Sequence, residues 1–384
     1  MTLRIAIIGA GIGGLAAAAL LKRSGHDVTV FEQAPGFARV GAGIQMAPNA
    51  VKVLRLLGLE ERLRQVAFRP EHALSREWDT GALTSELPLG REVEAKFGAP
   101  YCFLHRADLH AMIAAVAPRE ALRLNMKLAG LHQDARQVTL AFADGTRAAA
   151  DMVIGADGVH SLVREMLLGP EEPRFTGRVA YRTTYPAARL GDARPAPTRT
   201  KWWGPDRHIV IYYVTAACDE IYFVTSVPEK AEWMTPESWS AKGDHEALRA
   251  AYVGFHPEVQ AVLRASPEVY KWALLERDPL SRWSEGRVVL LGDACHPMTP
   301  YMAQGAAAAL EDAAVLTRCL EESRGEDLER AFALYEATRK PRASAIQGNS
   351  SKNTWLKGDT DPAWVYGYDA TTAPLEEGGV TTDN

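Results

Sequence analysis

The chain has little cysteine: Cys102, Cys218, Cys295 and Cys319 are scattered over 384 residues, with no CxxC pair. That spacing argues against a disulfide scaffold and a structural zinc site, and it fits a reducing cytoplasm. The ten histidines include no HExxH and no His–carboxylate spacing suited to a metal, so no metal is expected. Excess positive charge is also missing. A net charge of −5 and a pI near 6.1, without a local basic cluster, leave no electrostatic footprint for nucleic acid or an anionic membrane. Residues 5–21 come nearest to a long apolar run, but four glycines interrupt them and their charged flanks fit strand–turn–helix better than a span or a signal segment. No internal repeat or low-complexity linker appears. With 47% apolar and 24% charged residues, the chain can bury a large core in two or three domains.

What is present begins at once. Arg4 to Glu32 reads as a complete βαβ unit: an apolar strand Ile5–Ile8, glycines at 9, 11 and 14, a helix-forming run Leu15–Arg23, and a second strand Val28–Phe31. Gly9 allows the tight turn, Gly11 lets backbone approach a pyrophosphate, and Gly14 permits close packing of helix on strand. The helix start offers free N–H groups to phosphates. Glu32, 18 residues past Gly14, is placed to bind a ribose 2′-OH. This unit alone does not separate FAD from NAD.

Further along, Gln33–Asn49 is expected to form an irregular active-site loop, and Pro48–Leu57 a helix stopped by Gly58. Residues 70–104 suit strands of a smaller sheet. His105–Ala117 reads as a helix with Arg106 at a strand-to-helix junction, either a phosphate contact or a surface charge. Residues 122–128 and 137–142 read as a strand pair, and Asp151–Ile154 as a buried strand running into GADGVHSLVREML. There Asp157 and Gly158 form a turn, with Ser161 and Arg164 one helical turn apart. They would either face a nucleotide or form a helix cap with a surface pair.

Residues 175–227 are rich in β-branched and aromatic residues with period two, hence sheet. In RHIVIYYV, His208, Val210 and Tyr212 share one face, either lining a pocket or standing on a half-buried strand. Glu237–Arg264 and the segment up to Leu275 read as helical, broken at Pro257 and Pro267. Gly286–His296 reads as a buried strand ending at Gly292-Asp293, followed by a proline loop and a helix Ala306–Leu320. Leu328–Ala345 is an amphipathic helix, 353–369 packs back through its aromatics, and 373–384 is expected to be disordered. The expected fold class is α/β with interleaved domains: a Rossmann-like nucleotide domain from 1–70, 100–168 and 280–320, a β-sheet substrate domain from 71–99 and 169–279, and C-terminal helices and tail over 321–384.

GAGIGG at 9–14, GADGVHSLVR at 155–164 and GDACHPMTPYMAQGAAAALEDA at 292–313, in this order, resemble the single-component FAD-dependent aromatic hydroxylases over nearly the whole chain. The resemblance implies a para-hydroxybenzoate hydroxylase-like fold, bound FAD, transient NADH with NADPH as the alternative, O2, a cytoplasmic setting and a homodimer. It implies that Gly9, Gly11, Gly14, Glu32 and Gln33 hold the adenosine end, Leu128 contacts adenine, Arg106 meets phosphate and ribityl, and Asp293 binds the ribityl chain. Asp157 and Arg164 would support flavin and nicotinamide. Gln45, Pro300, Gln304, Gly305 and Ala306 would lie at the flavin ring, the helix start facing its N1 and O2 edge. The implied chemistry is oxygen transfer from a flavin C4a-hydroperoxide to a hydroxylated ring, with loss of CO2 if the attacked carbon bears a carboxylate.

Within the family, GAGIQMAPN, TKWWGPDRHIVIYYVT and KWALLERDPL resemble the branch acting on hydroxypyridine carboxylates, with salicylate-type enzymes as neighbours. Tyr212 and His208 match the family's pocket pair. That branch implies His where this chain has Gln45, His where it has Tyr301, and Cys where it has Arg199. Gln45 cannot act as a base. Arg199 adds a cation suited to a carboxylate, or else is a surface charge.

Overall fold

The computed structural model describes residues 1–39, 41–230, 241–358 and 360–377. Its first sheet has the order Ser284–Glu285, Val288–Leu290, Met152–Gly155, Arg4–Ile8, Asp27–Phe31, Leu122–Arg123. All neighbours are parallel except at the Ser284–Glu285 edge. Ile5–Ile8, Met152–Ile154 and Val288–Leu290 are buried throughout, as strands covered on both faces must be. Helix Ile12–Arg23 packs against helix Gly305–Glu322 through small residues. A Cβ on Gly13 would lie 2.6 Å from Leu291 and 3.0 Å from Ala309, so the contact needs glycine there.

The second sheet has the order Tyr270–Glu276, Arg174–Pro186, Glu220–Pro228, His208–Tyr213, Arg199–Trp203, His72–Glu77, Leu83–Pro88. Its pairings are antiparallel except that of Arg199–Trp203 with His72–Glu77. A third sheet combines Arg147–Ala150, Val138–Phe142 and Leu128–Gln133.

Several expectations need correction. The Gln33–Asn49 segment contains a strand, Gly43–Met46, paired with Cys102–His105; four residues are too few to show a period in the sequence. Leu122–Arg123 does not pair with 138–142 but extends the parallel sheet beside Val30 and Phe31. Asn125, at φ 60°, breaks the run, and Leu128–Gln133 takes the antiparallel partner instead. Residues 70–104 also include a helix, Arg91–Phe97.

Tyr270–Glu276 is a strand rather than a helix end, because pairing with Arg174–Arg182 outweighs its local propensity. Pro257 starts the helix Pro257–Ala265 instead of breaking one, since the first helical position needs no N–H. Residues 237–240 of that expected helix lie outside the described residues. The strand expected over Gly286–His296 shrinks to Val288–Leu290 before the chain turns at Gly292–Ala294. Helix Leu328–Ser351 continues past Ala345 with Pro341 inside it. Of the tail, Leu375 packs on the core and Glu376 N–H donates to Thr338 Oγ1 at 2.8 Å, whereas 378–384 lie outside the described residues.

Candidate active site

A cavity of about 320 Å³ lies where Gly11, Ala156 and Gly292 follow the carboxyl ends of three parallel strands. That edge of an open α/β sheet is where ligands bind. The glycines of the first turn have separable roles. Gly9, at φ +103°, has the Ala156 carbonyl 2.4 Å from where a Cβ would stand, so the two turns abut. A Cβ on Gly14 would come 2.1 Å from the Gly9 carbonyl oxygen, which fixes the helix tightly on the turn. Gly11 has nothing within 4 Å and presents bare backbone to the cavity. Glu32 braces this turn by accepting the N–H groups of Ala10 and Ala34, each at 2.8 Å.

Arg106 and Asp293 meet across the same cavity. Both side chains are open to it while protein encloses them on other sides. Burial pushes the Asp293 carboxyl up, and His296 and Arg106 oppose the shift. Helix Gly305–Glu322 begins here without a side-chain cap. The first N–H to find a helical carbonyl is that of Ala308, to Gln304 O at 2.7 Å. The N–H groups of Gly305 and Ala306 therefore sit unbonded by the helix at the cavity wall, beside Pro300. This donor set fits a dinucleotide with an electron-accepting ring: bare backbone for phosphate, a carboxylate for hydroxyls, and a helix start for developing negative charge.

The helix is held by a buried ionic network. Arg339 reaches Glu311 and Asp312 at 2.8 Å each, and Arg342 reaches Glu311 at 2.9 Å. Although burial alone would raise it, His296 and Arg339 hold the Asp312 carboxyl down at about 2. The Gln304 side chain turns into this core, accepting from Asn49 Nδ2 at 2.9 Å.

Gln33, Leu128, Asp157 and Arg164, also expected at the cofactor, do not line this cavity. Gln33 is exposed beyond the second strand, and Leu128 is in the core. Asp157 accepts from the N–H groups of Leu162 and Val163 at 2.8 and 3.1 Å, the geometry of a helix cap. Arg164 is buried and paired with Glu171.

A second, enclosed cavity of about 40 Å³ adjoins the first, and Gln45, Val224, Pro300 and Ala303 line both. Arg199, His208 and Tyr301 line the inner one, and Tyr212 faces the larger one. Six buried residues, His208 to Tyr213, make this an interior strand, not one at a solvent edge. Arg199 is 5% exposed, so it is no surface charge. Its Nη1 has no hydrogen-bond partner, and no carboxylate pairs with it among the described residues. Burial lowers its basicity, and the hydroxyls of Tyr101, Tyr366 and Tyr212 are its nearest counterparts. Tyr101 donates to Gln45 Oε1 at 3.0 Å, and Tyr301 and Ser226 share a hydrogen bond of 2.9 Å. Burial holds the Tyr212 phenol protonated, its value pushed well above the ordinary one, with the Tyr222 ring adding and Gln45 opposing. His208 is held neutral by burial and by Lys201, Arg178 and Arg199.

Sequence reasoning missed Lys201, which lines the inner cavity 1% exposed. The signal was available: it stands two residues from Arg199 on one strand, the same alternation that grouped His208 with Tyr212. Tyr101 and Trp355 were missed for want of any local pattern; distant segments bring them to the wall. Among the described residues no helix is long and apolar enough to cross a membrane, and no group of His, Cys, Asp or Glu could hold a metal ion.

Comparison with known proteins agrees with this geometry. Residues 2–350 match the family described as FAD binding domain. The chain is 49% identical over 375 residues to a 6-hydroxynicotinate 3-monooxygenase of Bordetella bronchiseptica, covering 98% of this chain and 97% of that one. Among solved structures, Klebsiella pneumoniae HpxO complexed with FAD and uric acid superposes with a TM-score of 0.82 at 28% identity, covering 94% of this chain and 90% of that one. A salicylate hydroxylase substrate complex gives 0.81 at 26% identity, covering 96% of each. The turn at Gly9–Gly14, the cavity beyond it and the match along most of the chain converge: this protein belongs to the FAD binding domain family and is one of its aromatic-ring monooxygenases.

Proposed function

We propose that the protein hydroxylates a hydroxylated pyridine or benzene carboxylate, of the kind named for its 6-hydroxynicotinate relative, using NADH and O2. One observation carries this reading: a cavity suited to FAD shares a wall with a small inner cavity that contains a buried, unpaired arginine. Bound FAD would supply reduction by the nicotinamide and activation of O2 for oxygen transfer.

The chain's own residues divide the remaining work. Gly11, Arg106 and Asp293 would hold the phosphate and ribityl portions, and the N–H groups at Gly305 and Ala306 the ring edge where negative charge gathers. Arg199 binds the substrate carboxylate through its two-pronged guanidinium. Gln45 and Tyr212 hydrogen-bond the ring substituents and orient the ring toward the shared wall. Val224 and Pro300 keep water from that wall, so the reacting carbon meets oxygen in a dry site. If that carbon bears the carboxylate, CO2 leaves as aromaticity returns.

The test is a panel of hydroxypyridine and hydroxybenzoate carboxylates with the FAD-loaded protein. NADH oxidation rising with one acid, matched by O2 uptake and a product of hydroxylated mass, supports the reading. Fast NADH oxidation indifferent to every acid, yielding only peroxide, overturns it in favour of an oxidase.

A further inference from the structure

Hydroxylation needs the ring made electron-rich, and deprotonating a ring hydroxyl does this. Gln45 cannot accept a proton. Tyr212 is held in its protonated form, and Tyr301 is engaged with Ser226. Resting on the function proposed above, we propose that Lys201 accepts the proton of the substrate's ring hydroxyl while Arg199 holds its carboxylate.

The placement of Lys201 carries this. Its side chain lines the inner cavity, and its register partner is Val210, which lies between His208 and Tyr212 on the neighbouring strand. Arg199 and Lys201 alternate onto the same face, with backbone positions about 7 Å apart. The Lys201 Nζ lies 3.6 Å from the centre of the Trp203 ring, and it makes no hydrogen bond or ion pair with any described residue. A buried amine is usually paired with a carboxylate; this one has the Trp203 ring face on one side, which favours the ammonium, and the ligand space on the other.

Its charged surroundings are of one sign. Arg199 from its own strand, Arg178 from the long strand and Lys357 from the C-terminal segment disfavour protonation, after burial itself. His208, Tyr101 and Tyr301 are the other titratable groups on the cavity wall. Without ligand, burial and these cations favour the free amine, the form able to accept a proton. When an anionic acid enters, its carboxylate brings the negative charge that stabilises the ammonium. The exchange balances: the ring O–H bond breaks, an Nζ–H bond forms, and the electron pair stays on the ring oxygen beside the new ammonium. His208 is the competing acceptor, an imidazole that burial, Arg178 and Arg199 also push down.

The experiment uses full-length, FAD-loaded protein with the acid that the wild type hydroxylates. Its ultraviolet difference spectrum on binding is recorded against pH for the wild type, Lys201→Met and Lys201→Arg. The wild type is expected to bind the ring in ionised form well below the pH at which the free acid ionises. Both variants are expected to bind it neutral, and kcat to fall by about 10²–10⁴-fold. Methionine preserves length in an apolar setting, and arginine supplies the charge of the proton-bearing lysine but cannot accept a proton.

A wild type that binds the ring neutral overturns the lysine's role without needing any variant. So does Lys201→Arg restoring both ionised spectrum and rate, which would assign the effect to charge alone. Retention of the ionised spectrum in Lys201→Met would transfer the role to His208. A wild type that hydroxylates no acid of the panel overturns the functional reading instead, and the proton assignment with it.

Discussion

His296 Nε2 lies 2.6 Å from Asp312 Oδ2, and neither side chain reaches solvent. The same oxygen accepts the Gly292 N–H at 3.0 Å, and the other accepts Arg339 Nε at 2.8 Å. One carboxylate thus ties the turn that presents Asp293 to the helix whose start faces the same cavity. The substitution Asp312→Asn would leave Arg339 and His296 short of a counter-charge in a dry core. The expected loss is about 3–5 kcal/mol of stability, read from urea unfolding, together with weaker flavin retention.

The pH dependence has a defined sign. The Asp312 carboxyl titrates at about 2 in the fold against an ordinary 3.8, so its contribution is complete above the ordinary value and is lost as pH falls toward 2. That difference corresponds to about 2–3 kcal/mol. His296 is shifted up by Asp312 against the effect of burial, so its share is present below the ordinary imidazole value and is lost as pH rises through the folded one. Urea midpoints against pH should fall on both sides, and Asp312→Asn should flatten the acid side.

The two turn glycines should separate stability from cofactor affinity. Gly14→Ala forces a Cβ to 2.1 Å from the Gly9 carbonyl, a backbone atom that cannot move aside cheaply. A loss of about 1–3 kcal/mol is expected. Gly11→Ala meets no protein atom within 4 Å, so the melting temperature of the apoprotein should hold while FAD affinity drops. Thermal unfolding with and without added FAD distinguishes the two. Equal destabilisation of both apoproteins would count against assigning Gly11 to the ligand face.

Legibility in the sequence followed the range of the interaction. The βαβ unit was readable because strand, turn, helix and Glu32 lie within one local segment with fixed spacing. The sheet face of His208 and Tyr212 was readable because alternation is a property of a single strand. Tyr270–Glu276 was not, since only its partner strand makes it extended. Asp157 has a local explanation in its contacts to Leu162 and Val163 N–H, where the motif alone left cap and ligand contact both open. The inner cavity was half legible: Arg199 was singled out for its departure from the family pattern, but Lys201 beside it was passed over as part of an aromatic strand. Trp355 reaches the wall from the far end of the chain, a closure no local pattern announces.

Arg199 offers the sharpest functional prediction because its burial has no structural compensation among the described residues. A guanidinium with an unpaired Nη1 and no carboxylate neighbour costs stability in the free protein. Arg199→Met should therefore leave the unfolding midpoint unchanged or raise it, unlike the loss of a paired core charge such as Asp312. Binding should respond in the opposite sense. Removing a charged hydrogen-bond pair worth about 1.5–3 kcal/mol lowers kcat/KM for a hydroxylated carboxylate roughly 10–150-fold, mostly through KM if the carboxylate only anchors the ring. The corresponding phenol or hydroxypyridine without a carboxylate should show little difference between wild type and variant. Steady-state kinetics on the two substrates check this. A similar loss on both would mean that Arg199 supports the cavity wall rather than the carboxylate.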